Sequence, residues 1–298
     1  MSLNFNDTNK PDARPARRPG RSPNASNRSS YRLGGGAARP TGNTSGPKAK
    51  GTWEPVAKWY GKHLKEEDTF QAEVIFPGAL RLLYPVKGKS YVDIACGEGS
   101  FVRSVANTGA SVLGFDISST LIKQAEAKKI KGATFRVANA TDFARYYDEK
   151  SFDGASCNLA VQNIDDYAAV FKDAGKVLKT GAPFVIVINH PMFRIPRQTG
   201  WGWDEKRGLQ YRRTDAYLTP NEIPIVANPG EGAKSKVTYS YHRPLEAYIK
   251  ELAKAGFMVD AIEEWISHRN SDSGPKAKAE NRSRQEIPMF MAIRAIKK

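Results

Sequence analysis

The stretch VDIACGEGSF, residues 92–101, has the pattern of a buried strand that ends in a glycine-rich turn before a helix. A second stretch, SVLGFDIS at 111–118, repeats this pattern with Asp116 at the end of its apolar run. Short apolar runs bounded by turn residues are typical of strands buried on both faces. We therefore expect both strands to end at one edge of a sheet, where Gly97, Gly99 and Asp116 would lie close together.

Strand-like and helix-like segments alternate from this region to the end of the chain. Such alternation predicts an α/β fold with a doubly wound, mostly parallel, Rossmann-like sheet of about seven strands. Sheets of this kind bind ligands outside the carboxyl ends of their strands. The predicted strands are 91–95, 111–117, 134–138, 152–157, 183–189, 257–263 and 287–295, and the predicted helices are 53–60, 70–84 with a break at Pro77, 101–107, 121–129, 167–178 and 244–255.

Two segments depart from this alternation. Residues 191–243 separate the fifth strand from the next helix, a connection too long for an ordinary loop, and we predict an inserted cap over the site. Residues 267–286 are basic and predict a mobile loop before the last strand. The folded domain is therefore predicted to span 53–298, with the cap inside it.

The first 52 residues differ in composition from the rest. They hold ten Lys and Arg against two Asp, in a chain of 298 residues with a net charge of +15. Few of them are aliphatic, so the segment is predicted to be a disordered basic tail. It is either a solubilising tail or a loose electrostatic contact for RNA.

The remaining composition excludes several classes of protein. The chain has neither a secretory apolar region nor a run of membrane-spanning length, which predicts no membrane partner. Two cysteines are too few for a disulfide framework and predict a reducing, cytoplasmic setting. Four histidines without a close cluster predict no metal site.

The glycine-rich turn allows two kinds of cofactor. A dinucleotide fingerprint needs a small residue three positions after its second glycine, and Val102 stands there, which argues against NAD. The run Asp-Ile-Ala-Cys-Gly-Glu-Gly at 93–99 resembles the first motif of the class I S-adenosylmethionine-dependent methyltransferases, in particular those of type 11. The chain departs from that motif at Ala95, where the family usually has glycine. The alternative is that these residues only form tight strand-to-helix turns.

The resemblance implies S-adenosyl-L-methionine as the cofactor and a role for each polar strand end. Asp116 would accept hydrogen bonds from the ribose hydroxyls, Asn139 would lie beside the adenine, and Asn158 would lie near the departing methyl group. Tyr60 would touch the methionine carboxylate or, alternatively, pack in the core. The cofactor-binding residues implied are Tyr60, Asp93, Ala95, Gly97, Gly99, Asp116, Ile117, Asn139, Ala140 and Asn158.

The acceptor side is predicted from residues of the cap and its borders. His190 directly follows the fifth strand and is the first candidate for a general base, with His242 as the second. Either histidine could instead be a hydrogen-bonded structural residue. Further along, Arg194 and Arg197 could grip an anionic acceptor, or pair with acidic neighbours in the cap. The indoles of Trp201 and Trp203 could stack on a flat acceptor, or form the core of the cap.

Two nucleic-acid chemistries are disfavoured. The run after the fourth strand is Asn158-Leu159-Ala160-Val161, without the prolines and aromatic ring of amine-directed nucleic-acid methyltransferases. Cys157 follows Ser156 and is predicted to be a small buried residue rather than a nucleophile.

Three hypotheses for the function remain. The first is a methyltransferase that acts on an oxygen or nitrogen of a small organic acceptor, because a cap of this length favours an enclosed pocket. The second is an RNA methyltransferase that uses the basic tail. The third is a nucleic-acid-binding or regulatory protein that keeps only a vestigial cofactor fold.

Overall fold

The computed structural model describes Glu54, residues 68–226 and residues 237–298. The basic tail, Tyr60 and, apart from Glu54, the predicted helix 53–60 lie outside the described residues.

The strands of the main sheet and the helices between them begin and end within a few residues of the predicted positions. The helices are α1 (Phe76–Leu83), α2 (Ser100–Ala106), α3 (Ser119–Ala127), α4 (Tyr167–Val177), α5 (Leu245–Lys254) and α6 (Ala277–Glu286). The strands are β1 (Ser90–Ile94), β2 (Ser111–Asp116), β3 (Ala133–Val137), β4 (Gly154–Asn158), β5 (Pro183–Asn189), β6 (Thr199–Asp204), β7 (Leu209–Thr214), β8 (Asn221–Val226), β9 (Val237–His242), β10 (Phe257–Trp265) and β11 (Phe290–Lys297).

A seven-stranded sheet organises the domain, with the strand order β10-β11-β5-β4-β1-β2-β3. Strand β11 runs antiparallel to both of its neighbours, and every other pair in the sheet is parallel. The chain moves outward from β1 in one direction and from β4 in the other. The strand order therefore reverses between β1 and β4, which is where sheets of this kind bind ligands.

Strand β5 illustrates how the sheet separates two hydrophobic cores. Its side chains alternate between the faces: Phe184, Ile186 and Ile188 belong to one cluster, and Val185 and Val187 belong to the other. All five are essentially inaccessible to solvent. A strand covered by helices on both faces must be apolar throughout, which explains why PFVIVIN was recognisable in the sequence.

The helix before β1 changes its hydrogen bonding at Pro77. Residues Gln71–Ile75 form a π-helical segment that continues directly into α1, whose second residue is the proline. Proline has no N–H, and its ring crowds the carbonyl four residues earlier, so the preceding turn widens. The predicted break at Pro77 is thus confirmed, as a change of helix type.

The inserted region 191–243 contains two β-hairpins, β6–β7 and β8–β9, each an antiparallel pair outside the main sheet. The prediction of a mobile loop at 267–286 is wrong, because this segment contains α6. This helix has no apolar stripe for a periodicity argument to detect, and polar contacts hold it. Ser283 Oγ donates to the backbone oxygen of Gln210 in β7 at 2.8 Å, and Arg284 Nε donates to Ser271 Oγ at 3.1 Å.

A search of the described part of the chain found no helix with the length and apolar character needed to cross a membrane.

Candidate active site

The loop between β1 and α2 alternates residues with left-handed backbone conformation. Ala95, Gly97 and Gly99 have φ values of 57°, 57° and 81°. A Cβ atom added to Gly99 would lie 2.9 Å from the ring of Phe135, whereas one added to Gly97 would have no atom within 4 Å. Gly99 is therefore required by packing. Gly97 borders open space, so its backbone can be approached closely by a ligand.

Asp116 holds this loop against the end of β2. Its Oδ2 accepts a hydrogen bond from the Gly97 N–H at 3.0 Å, and its Oδ1 accepts one from the Ser118 N–H at 2.9 Å. Burial raises the pKa of Asp116, although these backbone donors oppose the rise. Each carboxylate oxygen has a second lone pair, so the group can still accept hydrogen bonds from two ligand hydroxyls.

Asp93 is the second carboxylate at this edge, and it lies behind the loop at 3% exposure. Its register partner in β4 is Ser156, whose Oγ donates to Asp93 Oδ1 at 2.6 Å. Burial raises the pKa of Asp93 to about 7, with a smaller rise from the charge of Asp116, while the Ser156 hydrogen bond lowers it. Asp93 therefore joins the end of β1 to β4.

Asn158, at the end of β4, has a side-chain amide that is buried without hydrogen-bond partners in the described part of the chain. Its Oδ1 and Nδ2 are both buried and have no hydrogen-bond partner among the described residues. Buried side-chain amides are usually paired, because desolvation without a partner costs about 1–3 kcal/mol for each group. A polar ligand at the strand ends would satisfy this amide.

The far side of the site is formed by the ends of β2 and β3. Ile117 is 42% exposed beside Asp116, an apolar surface suited to a flat ring. The exposed side chain of Asn139 accepts a hydrogen bond from the Thr141 N–H at 3.1 Å, and Ala140 is buried. The open space at Gly97, the hydroxyl-binding capacity of Asp116 and the unpaired Asn158 amide together fit S-adenosylmethionine.

Glu54 is a residue of this edge that the sequence did not reveal. Its carboxylate accepts hydrogen bonds from Ser118 Oγ at 2.6 Å and from the hydroxyls of Ser119 and Thr120, at the start of α3. These hydroxyl donors lower the pKa of Glu54 to about 2. The chain before the first helix thus returns to the end of β2, directly beside Asp116, although no local pattern around Glu54 indicates this.

A pocket lies beyond the ends of β4 and β5, where the insertion begins after β5 and ends before α5. It contains about 310 Å³ of space between atoms, including its opening to solvent. Polar side chains make up much of the wall of this pocket. Its lining residues are Gln162, Asn189, His190, Pro191, Arg194, Ile195, Pro196, Ser240, Tyr241, His242, Arg243 and Tyr248.

His190 lines this pocket, but both of its ring nitrogens are engaged. Nε2 lies 2.7 Å from Glu264 Oε1, and Nδ1 accepts from the N–H groups of Met192 and Phe193 at 3.2 and 3.3 Å. Burial lowers the pKa of His190, and Glu264 opposes this. This arrangement fixes the loop after β5 and leaves no lone pair for a substrate proton. The base role of His190 stays a prediction, without support from this geometry.

His242, at the end of β9, is arranged differently. Its Nε2 donates to the backbone oxygen of Tyr217 at 2.7 Å, which assigns the proton to Nε2 and leaves a lone pair on Nδ1. Among the described residues, no hydrogen bond to Nδ1 is present. Burial lowers the pKa of His242; the Tyr217 carbonyl opposes this and the charge of Arg243 adds to it. His242 is therefore neutral near pH 7, with one nitrogen able to take a proton.

The four predicted acceptor-binding residues are not brought together. Arg194 lines the pocket, over the ring of Phe290 at 5.2 Å, and burial followed by the charge of Arg212 lowers its pKa. Arg197 instead donates to the backbone of β8, and the two tryptophans lie in β6, outside the pocket lining. The Trp201 ring stacks against Arg212 at 4.9 Å and the Trp203 ring against Lys276 at 4.5 Å.

The sequence reading missed two polar residues of the pocket. Gln162 follows β4, is 7% exposed and has an unpaired Oε1. Arg243 is 8% exposed and has an unpaired Nη1. Both are ordinary surface residue types in the sequence, and only the fold shows that they are buried. The position of Arg243, between a histidine and the proline before α5, was the one available signal.

Neither a cysteine nucleophile nor a metal site has support in the described residues. Cys157 is fully inaccessible in β4, and burial raises the pKa of its thiol, as it does for Cys96. Throughout residues 68–226 and 237–298, no three His, Cys, Asp or Glu side chains come together as a metal site would require.

Comparison with known proteins agrees with this geometry. Residues 92–186 match the family described as the methyltransferase domain. The demethylmenaquinone methyltransferase of Tropheryma whipplei (strain Twist) is 32% identical over 116 residues, which cover 38% of this chain and 47% of that protein. The ubiquinone biosynthesis O-methyltransferase of Thiobacillus denitrificans is 28% identical over 100 residues, covering 33% and 43%. The match thus spans about half the length of these curated relatives.

Among solved structures, an S-adenosylmethionine-dependent methyltransferase from Mesorhizobium loti superimposes with a TM-score of 0.61 at 27% identity. The match covers 74% of this chain and 96% of that one. The chain therefore has the fold of the class I S-adenosylmethionine-dependent methyltransferases, and residues 92–186 match the methyltransferase domain, which confirms the predicted fold and resemblance. The family implies S-adenosylmethionine as the cofactor.

Proposed function

We propose that this protein transfers a methyl group from S-adenosylmethionine to an oxygen or nitrogen of a small organic acceptor. The observation that carries the proposal is the polar-lined pocket beyond the ends of β4 and β5, at the sheet edge where Asn158 ends β4 with an unpaired amide. Small-molecule sites are concave and walled by a few convergent polar groups, so a pocket bordered by the long insertion favours a small acceptor over an extended substrate in an open groove. Two relatives carry names that refer to demethylmenaquinone and to ubiquinone biosynthesis, which also favours a small acceptor.

The cofactor half would hold its ligand through groups already in place. Asp116 would accept hydrogen bonds from the ribose hydroxyls, while its existing bonds to Gly97 and Ser118 keep it in position. The exposed face of Ile117 would pack against the adenine, with Asn139 at its edge. When bound, the cofactor supplies an electrophilic methyl group on a sulfonium. Asp93 would contribute indirectly, by joining β1 to β4 through Ser156 just before the glycine loop.

The acceptor half would align the acceptor and take up its proton. We propose that His242, rather than His190, removes the proton if the accepting atom must lose one. His242 is neutral near pH 7 with an available Nδ1, whereas both nitrogens of His190 are hydrogen-bonded. The buried walls around both histidines would exclude water, which otherwise competes for the methyl group.

Incubation with labelled methyl donor and a fractionated cell extract tests the proposal. We expect label in small molecules, and none from the matched Asp116→Ala variant. Label in RNA instead, lost on deletion of residues 1–50 with cofactor binding intact, would overturn the small-acceptor proposal in favour of the RNA methyltransferase. A biological activity that is untouched by Asp116→Ala would instead support the non-catalytic alternative. A cytoplasmic setting stays part of the proposal.

A further inference from the structure

A buried guanidinium with one unpaired nitrogen forms part of the acceptor pocket. Nη2 of Arg243 donates to the backbone oxygens of Ile164 and Asp165 at 2.9 and 2.6 Å. Its Nη1 is buried and has no hydrogen-bond partner in the described part of the chain. A buried cationic donor without an acceptor is costly, so such groups in native proteins are usually completed by water, an ion or a ligand.

The orientation of this guanidinium is fixed by its neighbours. Its Cζ atom lies over the ring of Tyr167, 4.2 Å from the ring centroid, and over the ring of Tyr241, 5.1 Å from that centroid. The Tyr248 hydroxyl also interacts with this guanidinium. Burial raises the pKa of Tyr248 to about 12, and the interaction with Arg243 lowers the same pKa. Stacked rings and backbone acceptors leave the group little freedom, so it is preorganised to receive a partner.

The rest of the pocket lining has the same polarity. Arg194 contributes a second guanidinium, which lies over the ring of Phe290 and makes no hydrogen bond or ion pair within the described residues. None of the pocket-lining residues is an Asp or Glu, so nothing in the wall balances these two charges. Gln162 adds an unpaired buried Oε1, which needs a donor. The pocket wall therefore presents two cationic groups and one hydrogen-bond acceptor, a combination that suits an anion which also carries a donor.

We propose that Arg243, together with Arg194, binds an anionic group on the methyl acceptor, either a carboxylate or a phosphate, and that Gln162 Oε1 accepts a hydrogen bond from the same molecule. This inference rests on the proposed function and specifies its substrate class: an acid that also carries a hydroxyl or an amine. Arg243 is a binding residue in this account. Two guanidiniums can hold such an anion by charge-assisted hydrogen bonds, which are stronger than neutral ones.

The acceptor class is tested with cell extract separated on an anion exchanger. The full-length wild-type protein is incubated with labelled methyl donor and each fraction in turn. We expect label in a fraction that the exchanger retains, because such a fraction holds anionic molecules. Pretreatment of that fraction with alkaline phosphatase abolishes the labelling if the anion is a phosphate, and esterification in acidic methanol abolishes it if the anion is a carboxylate. Label only in the unretained fraction, or labelling that survives both treatments, overturns the inference.

The role of Arg243 is tested with the active fraction as the acceptor. Arg243→Gln is expected to raise KM for that fraction about 10- to 100-fold, with kcat changed far less, because one charge-assisted contact is lost. Arg243→Lys keeps the charge and should lie between this variant and the wild type. Arg212→Gln is the matched control, since Arg212 also donates to a backbone oxygen, that of Phe193, but does not line the pocket. Equal KM values for the Arg243→Gln and Arg212→Gln variants would overturn the assignment.

Two further measurements keep the outcomes separate. If Arg243→Gln does not fold, Arg194→Gln replaces it, because the side chain of Arg194 makes no hydrogen bond within the described residues. An unchanged KM for the Arg194→Gln variant contradicts the proposal that the two arginines together bind the anion. S-adenosylhomocysteine should bind the Arg243→Gln variant as tightly as it binds the wild type. Loss of that binding would assign Arg243 to the cofactor site and overturn its role in acceptor binding. Absence of label in every fraction contradicts the proposed function itself, whereas label in neutral molecules contradicts only this inference.

Discussion

The two halves of the site, at the ends of β1 and β2 and at the ends of β4 and β5, are built in different ways. The cofactor half depends on backbone conformation: the glycine loop and Asp116 come from a short stretch of sequence and are joined by N–H groups. The acceptor half depends on side chains such as Gln162, His190 and Arg243, which are far apart in the sequence. On the proposed function, the comparison teaches that a fixed backbone frame would hold the cofactor, while side chains from distant parts of the sequence would select the acceptor.

The largest expected effect concerns proton transfer in the acceptor half. His242→Gln should lower kcat by about 10²–10⁴-fold if the acceptor loses its proton to Nδ1. His190→Gln should cost much less, because the ring of His190 holds the loop after β5. Steady-state kinetics on the labelled fraction measures both. A larger loss for the His190 variant than for the His242 variant would reverse the assignment of the base.

The acidity of Asp93 gives a pH-dependent test of the cofactor half. Its folded-state pKa of about 7 exceeds the ordinary value of 3.8, so between these values the folded protein keeps a proton that the unfolded chain has lost. Stability should therefore fall as pH rises from about 4 to 7 and level off above. Asp93→Asn removes this cost and should be more stable than the wild type by up to about 4 kcal/mol at pH 8, and nearly equal to it at pH 4.

Asp153 provides the control of opposite sign. Burial raises its pKa, but the hydrogen bond from Lys179 and that from the Ser90 N–H outweigh this, so the net pKa is lowered. Its contribution to stability is present above the ordinary carboxyl pKa and lost as pH falls below it. Asp153→Asn should therefore destabilise at pH 8 and matter less at pH 3.5. Urea unfolding across this range measures both variants, and slopes of the same sign would contradict the account.

The two glycines of the loop separate packing from ligand access. Gly99→Ala should cost about 3 kcal/mol, from left-handed strain and from contact with the ring of Phe135. Gly97→Ala should cost only about 1–2 kcal/mol in stability, because its Cβ meets open space. The Gly97 variant should nevertheless lose affinity for S-adenosylhomocysteine, as measured by calorimetry. Equal losses of stability for the two variants would contradict this division.

The smallest expected effect is at Ala95, where the chain departs from the family motif. Alanine at φ 57° carries about 1 kcal/mol of strain, and Ala95→Gly removes it while adding a similar amount of entropy to the unfolded chain. The two changes should nearly cancel, to within about 0.5 kcal/mol in urea unfolding. A loss well above this would show that the methyl group of Ala95 contributes to packing, and that the departure is not neutral.

The cofactor half and the sheet could be predicted because their signals are local. An apolar run such as residues 183–189 follows from burial on both faces, and the alternating glycines follow from a turn that only certain residues can adopt. The acceptor half could not be read in this way. Arg243 and Gln162 stand out because each is buried with one unpaired polar atom, and for Arg243 this depends on residues some 80 positions away. Helix α6 was missed because polar tertiary contacts, rather than a hydrophobic period, hold it in place.

The ranking of the two candidate bases rested on position in the sequence alone. His190 was preferred because it directly follows the central strand, and the structure does bring it to the pocket. Its hydrogen bonds to Glu264 and to its own loop could not be inferred from the sequence, since Glu264 lies in β10 on the other side of β11. The same reasoning ranked His242 second, and its available Nδ1 depends on a carbonyl, that of Tyr217, which no sequence pattern marks.

The most direct measurement of the division between the two halves is calorimetry with S-adenosylhomocysteine on three proteins. The account predicts that the wild type binds, that Asp116→Ala loses most of this affinity, and that Arg243→Gln binds as tightly as the wild type. If the wild type releases no heat with this ligand, or if Asp116→Ala binds it unchanged, then the edge formed by Gly97, Gly99 and Asp116 is not the cofactor site and the account is contradicted.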